Sequence, residues 1–261
     1  MMKKLGIFVL LAALVLCQGV SAHMPGAAAP APEVDLGPIV VSDNGVPVEI
    51  SIDDVGKYHG MLEGKSPDVC VCCACTYRAI LSGINEVWGD EIPERSDIGL
   101  KCGLISNGSV HAAWYVTGTD MDPNNQGKLE LILPDGSVLT NQSPSAIKKA
   151  SKARTPESYW FEVSRLSTGD SVKLTVSDDV FPEGFAEMRK KVKFDKTASK
   201  DEIRQFISDY TSVRDGMLQK ADYELFNEIE EPDESPDILG GGIFLTLLCG
   251  LCIGLVVMRR K

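Results

Sequence analysis

Hydrophobic and polar positions follow two different periods along this chain, and the change of period predicts its elements. In residues 39–52 (IVVSDNGVPVEISI) two β-branched runs flank Asp43-Asn44-Gly45, the pattern of two strands joined by a tight turn. Asp53-Asp54-Val55-Gly56 then leads through Tyr58-His59-Gly60 into a loop over residues 63–68. Beyond a run of cysteines, Ala79, Ile80, Ile84, Val87 and Trp88 share one helical face, with Arg78, Asn85 and Glu86 off it. Gly89 and Pro93 end that helix. A period of two returns in residues 100–106 and again in 110–117 (VHAAWYVT), so both predict strands, broken at Asn107-Gly108. Residues 128–140 and 159–176 predict hairpins, the first over Pro134-Asp135-Gly136 and the second over residues 167–170. Between them, residues 145–154 form a short basic helix or loop.

The remainder is helical in pattern. Residues 182–194 predict a helix with Pro182 near its first turn, where a missing N–H costs little. Ser199-Lys200-Asp201-Glu202 has capping-box spacing, and Ile203, Phe206, Ile207, Tyr210, Val213 and Met217 follow it as a stripe suited to packing on a sheet. Residues 224–237 (ELFNEIEEPDESPD) are half acidic with two prolines, the composition of a solvated stalk. Residues 23–38 are an Ala/Pro-rich spacer. Residues 39–223 are therefore expected to form one α+β domain, an antiparallel sheet with helices packed on it.

Both ends carry apolar runs of another kind. Lys3 and Lys4 precede an apolar run over residues 5–16 and then Val20-Ser21-Ala22, which predicts a secretory signal peptide over residues 1–22. Residues 238–258 are 21 positions without a charge. That suits the ~20 residues a helix needs to cross ~30 Å of hydrocarbon. Arg259, Arg260 and Lys261 follow as a cytoplasmic basic tail, which places everything before residue 238 outside the membrane. A clipped sorting tail, with Gly240-Gly241-Gly242 at its head, is the alternative, and it leaves the domain at the same surface. Two sequons, at Asn107 and Asn141, fit that address.

Charge narrows the partners. All 37 acidic residues lie in residues 23–237 and five of the 26 basic ones lie outside, so that region carries a formal charge of −16 against −11 for the whole chain. So acidic a surface repels phosphate backbones and argues against nucleic acid as a partner. The membrane, through the C-terminal helix, is the one expected.

The candidate chemistry lies in Cys70, Cys72, Cys73 and Cys75, four thiols within six residues. Cys70/Cys73 and Cys72/Cys75 each have Cys-x-x-Cys spacing, which serves metal ligation, thiol–disulfide exchange at a helix N-terminus, or structural disulfides, one of them to Cys102. Neighbours such as Cys72 and Cys73 point apart, so two or three sulfurs with a histidine suit one ion better than all four. His59 sits in a Gly-flanked stretch suited to a ligand; His111 is placed equally well as a packed histidine. The metal set is thus His59, Cys70 and Cys73, with Cys72, Cys75 and Cys102 as further candidates. Zinc is the first choice, with an Fe–S cluster or another transition metal as alternatives. The sequence contains no P-loop, Gly-x-Ser-x-Gly, HExxH or Rossmann fingerprint.

Tyr58-His59-Gly60, then Cys70 with Tyr77-Arg78-Ala79 in register behind it, resembles the N-terminal motif of the formylmethanofuran dehydrogenase E-subunit-like domain. Residues 111–118 (HAAWYVTG) are similar to that family's Asp-Ala-Ile-Gln-x-x-Thr-Gly, and Gly127-Lys128-Leu129 to its Gly-Lys-Gly-Asn-Leu. The likeness spans residues 53–139. Val71 and Cys72 replace the family's Pro-Gly, Gly108 stands at a later family cysteine, and His111 takes the place of the Asp. The resemblance implies an α+β domain with a Cys/His metal site, matched directly by His59 and Cys70, in an archaeal and plausibly methanogenic setting. The function expected is metal binding or an accessory redox role. A thiol–disulfide protein and a surface protein with structural disulfides remain the alternatives.

Overall fold

In the computed structural model, residues 31–34, 36–120 and 128–229 are described. The expected signal peptide, the transmembrane run at 238–258, the basic tail, most of the spacer, the stalk beyond residue 229 and Gly127 lie outside them. Among the described residues no helix is long and apolar enough to cross a membrane.

The first predicted hairpin forms as β1 (Ile39–Asp43) and β2 (Val46–Ile50), antiparallel with Ile39 opposite Ile50. Asn44 and Gly45 take φ of 54° and 81°, the pair of positive values a two-residue hairpin turn needs. The next stretch is helical where the sequence suggested only a lead-in and a loop. Ser51 caps α1 (Ile52–Leu62) reciprocally with Asp54, a capping box that the spacing Ser51-x-x-Asp54 announces. α2 (Val71–Trp88) follows and ends at Gly89, as expected.

Two predicted elements change identity together. β3 (Ile98–Cys102) is a strand, but residues 110–117 belong to a helix, α3 (Asn107–Thr117). Ser106 and Ser109 cap its start and Gly118, at φ 72°, its end; these caps and Ala112-Ala113 outweigh the β-prone side chains. Because α3 carries the chain back along the sheet, β4 (Leu129–Leu131) enters parallel to β3. The sheet, in order β4-β3-β5-β6, is therefore mixed and not wholly antiparallel. Of the hairpin expected over Pro134-Asp135-Gly136, one bridge remains, Ile132 to Val138. The second hairpin forms as read, β5 (Trp160–Arg165) with β6 (Ser171–Thr175). α4 (Pro144–Lys152) occupies the basic segment before it.

After β6 come α5 (Phe185–Lys190), a π-helical turn (Lys191–Asp195) and α6 (Lys200–Gln219). The apolar stripe of α6 packs on α2 rather than on the sheet. α7 (Asp222–Leu225) closes the domain, with Leu225 and Phe226 fully buried and Phe226 bridged to Val176. The packed chain thus runs past the expected start of the stalk at Glu224.

α2 is the centre of this arrangement, in contact with β5, β6, α1, α3 and α6. It is enclosed on nearly all sides, Arg78 included, so the expected polar face is absent over most of its length. Tyr77 ties it to the N-terminal hairpin: its hydroxyl accepts the Ile39 N–H at 3.2 Å and lies 2.9 Å from the Ile50 carbonyl. Gly83 lets the helix reach β5, since a Cβ there would stand 2.4 Å from Val163 Cγ2. Gly83→Ala should cost about 1–3 kcal/mol by overpacking. Adding Val163→Ala should return part of that loss, read as non-additivity in a denaturation double-mutant cycle. Strictly additive losses would show that the contact does not limit the packing.

Candidate metal centre

Three helix ends meet at the cysteines. α1 brings His59 in its last turn, with Glu63 just beyond it; α2 begins at Cys70, its N-cap; α3 brings Gly108 and His111 from its first turns. The Cys70 side chain accepts the Cys73 N–H at 3.4 Å, the role a serine or aspartate ordinarily plays at a helix start. Cys70 Sγ and Cys73 Sγ stand 3.4 Å apart, and Cys73 Sγ lies 3.4 Å from the Gly108 carbonyl oxygen. This close approach requires glycine, because a Cβ at Gly108 would fall 2.4 Å from Cys70 Sγ and 3.1 Å from Cys73 Sγ.

Donor atoms of His59, Cys70 and Cys73 lie within 4.8 Å of one another, and so do those of His59, Glu63 and His111. His59 belongs to both groups. Its Nδ1 is 2.9 Å from His111 Nδ1, so one of the two rings donates and the other accepts. His111 also stacks on Trp114, with ring centroids 5.6 Å apart. Both histidines are buried.

The remaining candidates fall outside these groups. Cys72, one residue from Cys73 and so turned about 100° around the helix, accepts from Arg154 Nη1 at 3.2 Å. Cys75 is enclosed within the core, and Cys102 is buried with its thiol against the Leu104 carbonyl at 3.1 Å. All five cysteines of the described residues are free, so the structural disulfides of one alternative, including a bridge to Cys102, do not form there. Asn107, the first sequon's asparagine, donates to Glu63 Oε1 at 2.5 Å beside the site rather than standing on an open loop.

The electrostatics single out one sulfur. Hydrogen bonds from Cys72 and Cys73, and then from His59, hold the Cys70 thiol well below the usual range against the opposing effect of burial. Its hydrogen bond to Cys70, together with burial, pushes Cys72 up to about 12; burial pushes Cys73 and Cys75 upward too. Burial disfavours the His59 imidazolium, but the hydrogen bond and charge of Cys70 outweigh it and raise its pKa. His111 is pushed down to about 4 by burial and by the charge of His59. In the metal-free chain Cys70 is therefore expected to be alkylated first at neutral pH. Its rate should change little as pH rises toward the ordinary thiol range and fall only as pH drops through its lowered value. Peptide mapping after iodoacetamide treatment reads this out; first modification at Cys75 or Cys102 would contradict it.

A cavity of about 520 Å³ opens beside the cluster, lined by His59, Glu63, Cys70, Cys72, Ser106, Asn107 and Gly108. Lys148, Arg154, Arg189, Lys193 and Tyr210 also line it. Glu63, Gly108 and these cations were not anticipated as site residues; the basic run at 145–154 was the one visible signal for the cationic wall.

No protein-family model, curated protein or solved structure matches this chain.

Proposed function

We propose that this chain is a membrane-anchored, extracytoplasmic metal-binding domain of the formylmethanofuran dehydrogenase E-subunit-like type, holding a transition metal, zinc first, through His59, Cys70 and Cys73. The convergence of those three donors carries the reading. Two sulfurs at 2.3 Å from a shared tetrahedral zinc stand about 3.8 Å apart, and the 3.4 Å between Cys70 Sγ and Cys73 Sγ lies close to that. Cys70 is already favoured as thiolate, the form that ligates. Three protein donors would leave a fourth position of a bound zinc for a ligand from outside the chain, where the ion would supply Lewis-acid chemistry.

The family's later cysteine falls on Gly108, against which Cys70 and Cys73 pack in this chain. The hydrophobic runs at residues 5–16 and 238–258 support the anchored, extracytoplasmic placement.

One observation favours a second reading. A Cys-x-x-Cys whose first thiol caps a helix and whose second follows 3.4 Å away suits thiol–disulfide exchange. Metal analysis and thiol counting on the purified chain separate the two. About one zinc or iron per chain, with two thiols protected until a chelator is added, is the expected result. No metal, with a reversible two-electron couple between Cys70 and Cys73, would replace it with the redox reading.

A further inference from the structure

The cavity has a second wall that metal binding leaves unused. Arg154 follows α4, Arg189 lies in α5 and Lys193 in the π-helical turn, and all three line the cavity along with Cys70 and His59. Each lies over an aromatic ring: Arg154 at 5.1 Å from the Tyr159 centroid, Arg189 at 5.3 Å from Phe194 and Lys193 at 4.5 Å from Tyr210. Their hydrogen bonds go to neutral groups. Arg154 donates to Cys72 Sγ, and Arg189 donates to the carbonyls of Ser151 and Arg154 at 3.5 and 3.4 Å.

Among the described residues, none of the three makes an ion pair with a carboxylate. Among the described residues Glu63 is the one acid on the cavity wall, and it lies with the histidines, Asn107 donating to it. Arg154 Nε is buried without a hydrogen-bond partner. The Cys70 thiolate supplies one negative charge, which Cys72, Cys73 and His59 already surround. Burial, with the neighbouring guanidinium charges, lowers Lys193 to about 8 and Arg189 to about 10. Arg154, Arg189 and Lys193, none of them paired to a carboxylate among the described residues, crowd positive charge into one cavity of an otherwise acidic chain, and an anion joining them would relieve it.

We infer that this wall is an anion subsite: Arg154, Arg189 and Lys193 hold the carboxylate or phosphate group of a small molecule whose other end reaches the His59–Cys70–Cys73 group. Guanidinium groups suit such oxygens because their N–H donors match them in pairs, and the cavity has the volume of a small-molecule site. The placement of the ligand's far end rests on the metal reading above; the anion subsite does not.

Titration calorimetry on the purified full chain tests this, with inorganic phosphate and succinate as probes, in chelator-treated and zinc-loaded samples whose zinc content is measured. One probe is expected to bind one per chain in both samples, with phosphate and succinate distinguishing the two anion classes. Lys193→Gln and Arg154→Gln should each weaken it about tenfold or more. Lys101→Gln, on the exposed face of β3, should not. Should Arg154→Gln fail to fold, Lys193→Gln carries the test alone. Absence of binding by both probes at millimolar concentration overturns the inference, as does binding that Lys193→Gln leaves unchanged. Anion binding by a chain that takes no zinc keeps the subsite and removes the metal reading, whereas zinc uptake without anion binding does the reverse.

Discussion

Cys70→Ser is expected to abolish stoichiometric zinc binding while leaving the fold intact. The residue has two duties, as N-cap of α2 and as the one thiol of the cluster favoured in its charged form. Serine is among the best N-cap residues, so its hydroxyl can accept the Cys73 N–H in place of the sulfur and the helix start is kept. A soft thiolate ligand is lost at the same moment. Changes to groups that merely orient a ligand already cost about 10–100-fold in metal affinity, and removal of the ligand itself should exceed that. Circular dichroism should match the parent, while a competing chelator strips the variant and not the parent. The zinc-dependent rise in the parent's melting temperature should vanish. Cys70→Ala is the useful contrast, losing the cap as well at about 1 kcal/mol. If Cys70→Ser retains zinc as tightly as the parent, His59, Cys70 and Cys73 are not the site.

Spacing along the chain pointed to Cys70, Cys73 and His59, which the fold does bring together, but not to the groups around them. Cys70, Cys73 and His59 were legible because Cys-x-x-Cys at the start of an apolar-striped helix places two sulfurs on one side of a single turn. That neighbouring cysteines point apart was legible too, and Cys72 turns to Arg154 as that argument requires. What could not be read was the third helix. Residues 110–117 have largely the side chains of a strand, and the caps at Ser106, Ser109 and Gly118, with Ala112-Ala113, decide for α3. With that segment misread as a strand, neither the contact between His59 and His111 nor the need for glycine at residue 108 could be foreseen. The same misreading made the sheet antiparallel, because a strand at 110–117 leaves no crossover to bring β4 in parallel. The cationic wall was mostly hidden: beyond the basic run at 145–154, nothing local announces that Arg154 meets Arg189 and Lys193, 35 and 39 positions further on.

Arg78 is where the sequence reading and the packing disagree most, and its replacement should have the largest effect on stability. The helical wheel put it off the apolar face, yet it is 4 % exposed. Its Nη1 donates to the Met217 carbonyl at 2.9 Å, and Nη2 donates to the Lys220 carbonyl at 2.8 Å and to the Asp222 carboxylate. Those carbonyls belong to the C-terminal end of α6, whose last C=O groups have no partner within the helix. One buried guanidinium thus fastens the central helix α2 to the end of α6 and to the start of α7. Arg78→Met keeps the apolar stem and removes every donor, leaving two carbonyls and a partly buried carboxylate without their cation. Breaking a buried ion pair on one side costs about 3–5 kcal/mol; because Asp222 reaches solvent, the lower end, about 3 kcal/mol, is expected here. For a domain of this size that is a fall of roughly 6–12 °C in melting temperature. The loss should appear equally in metal-free and zinc-loaded chains, since Arg78 touches none of the donors. Adding Asp222→Asn to Arg78→Met should recover part of it by removing the stranded charge. An Arg78→Met chain as stable as the parent would mean that water replaces the guanidinium at the end of α6 without loss.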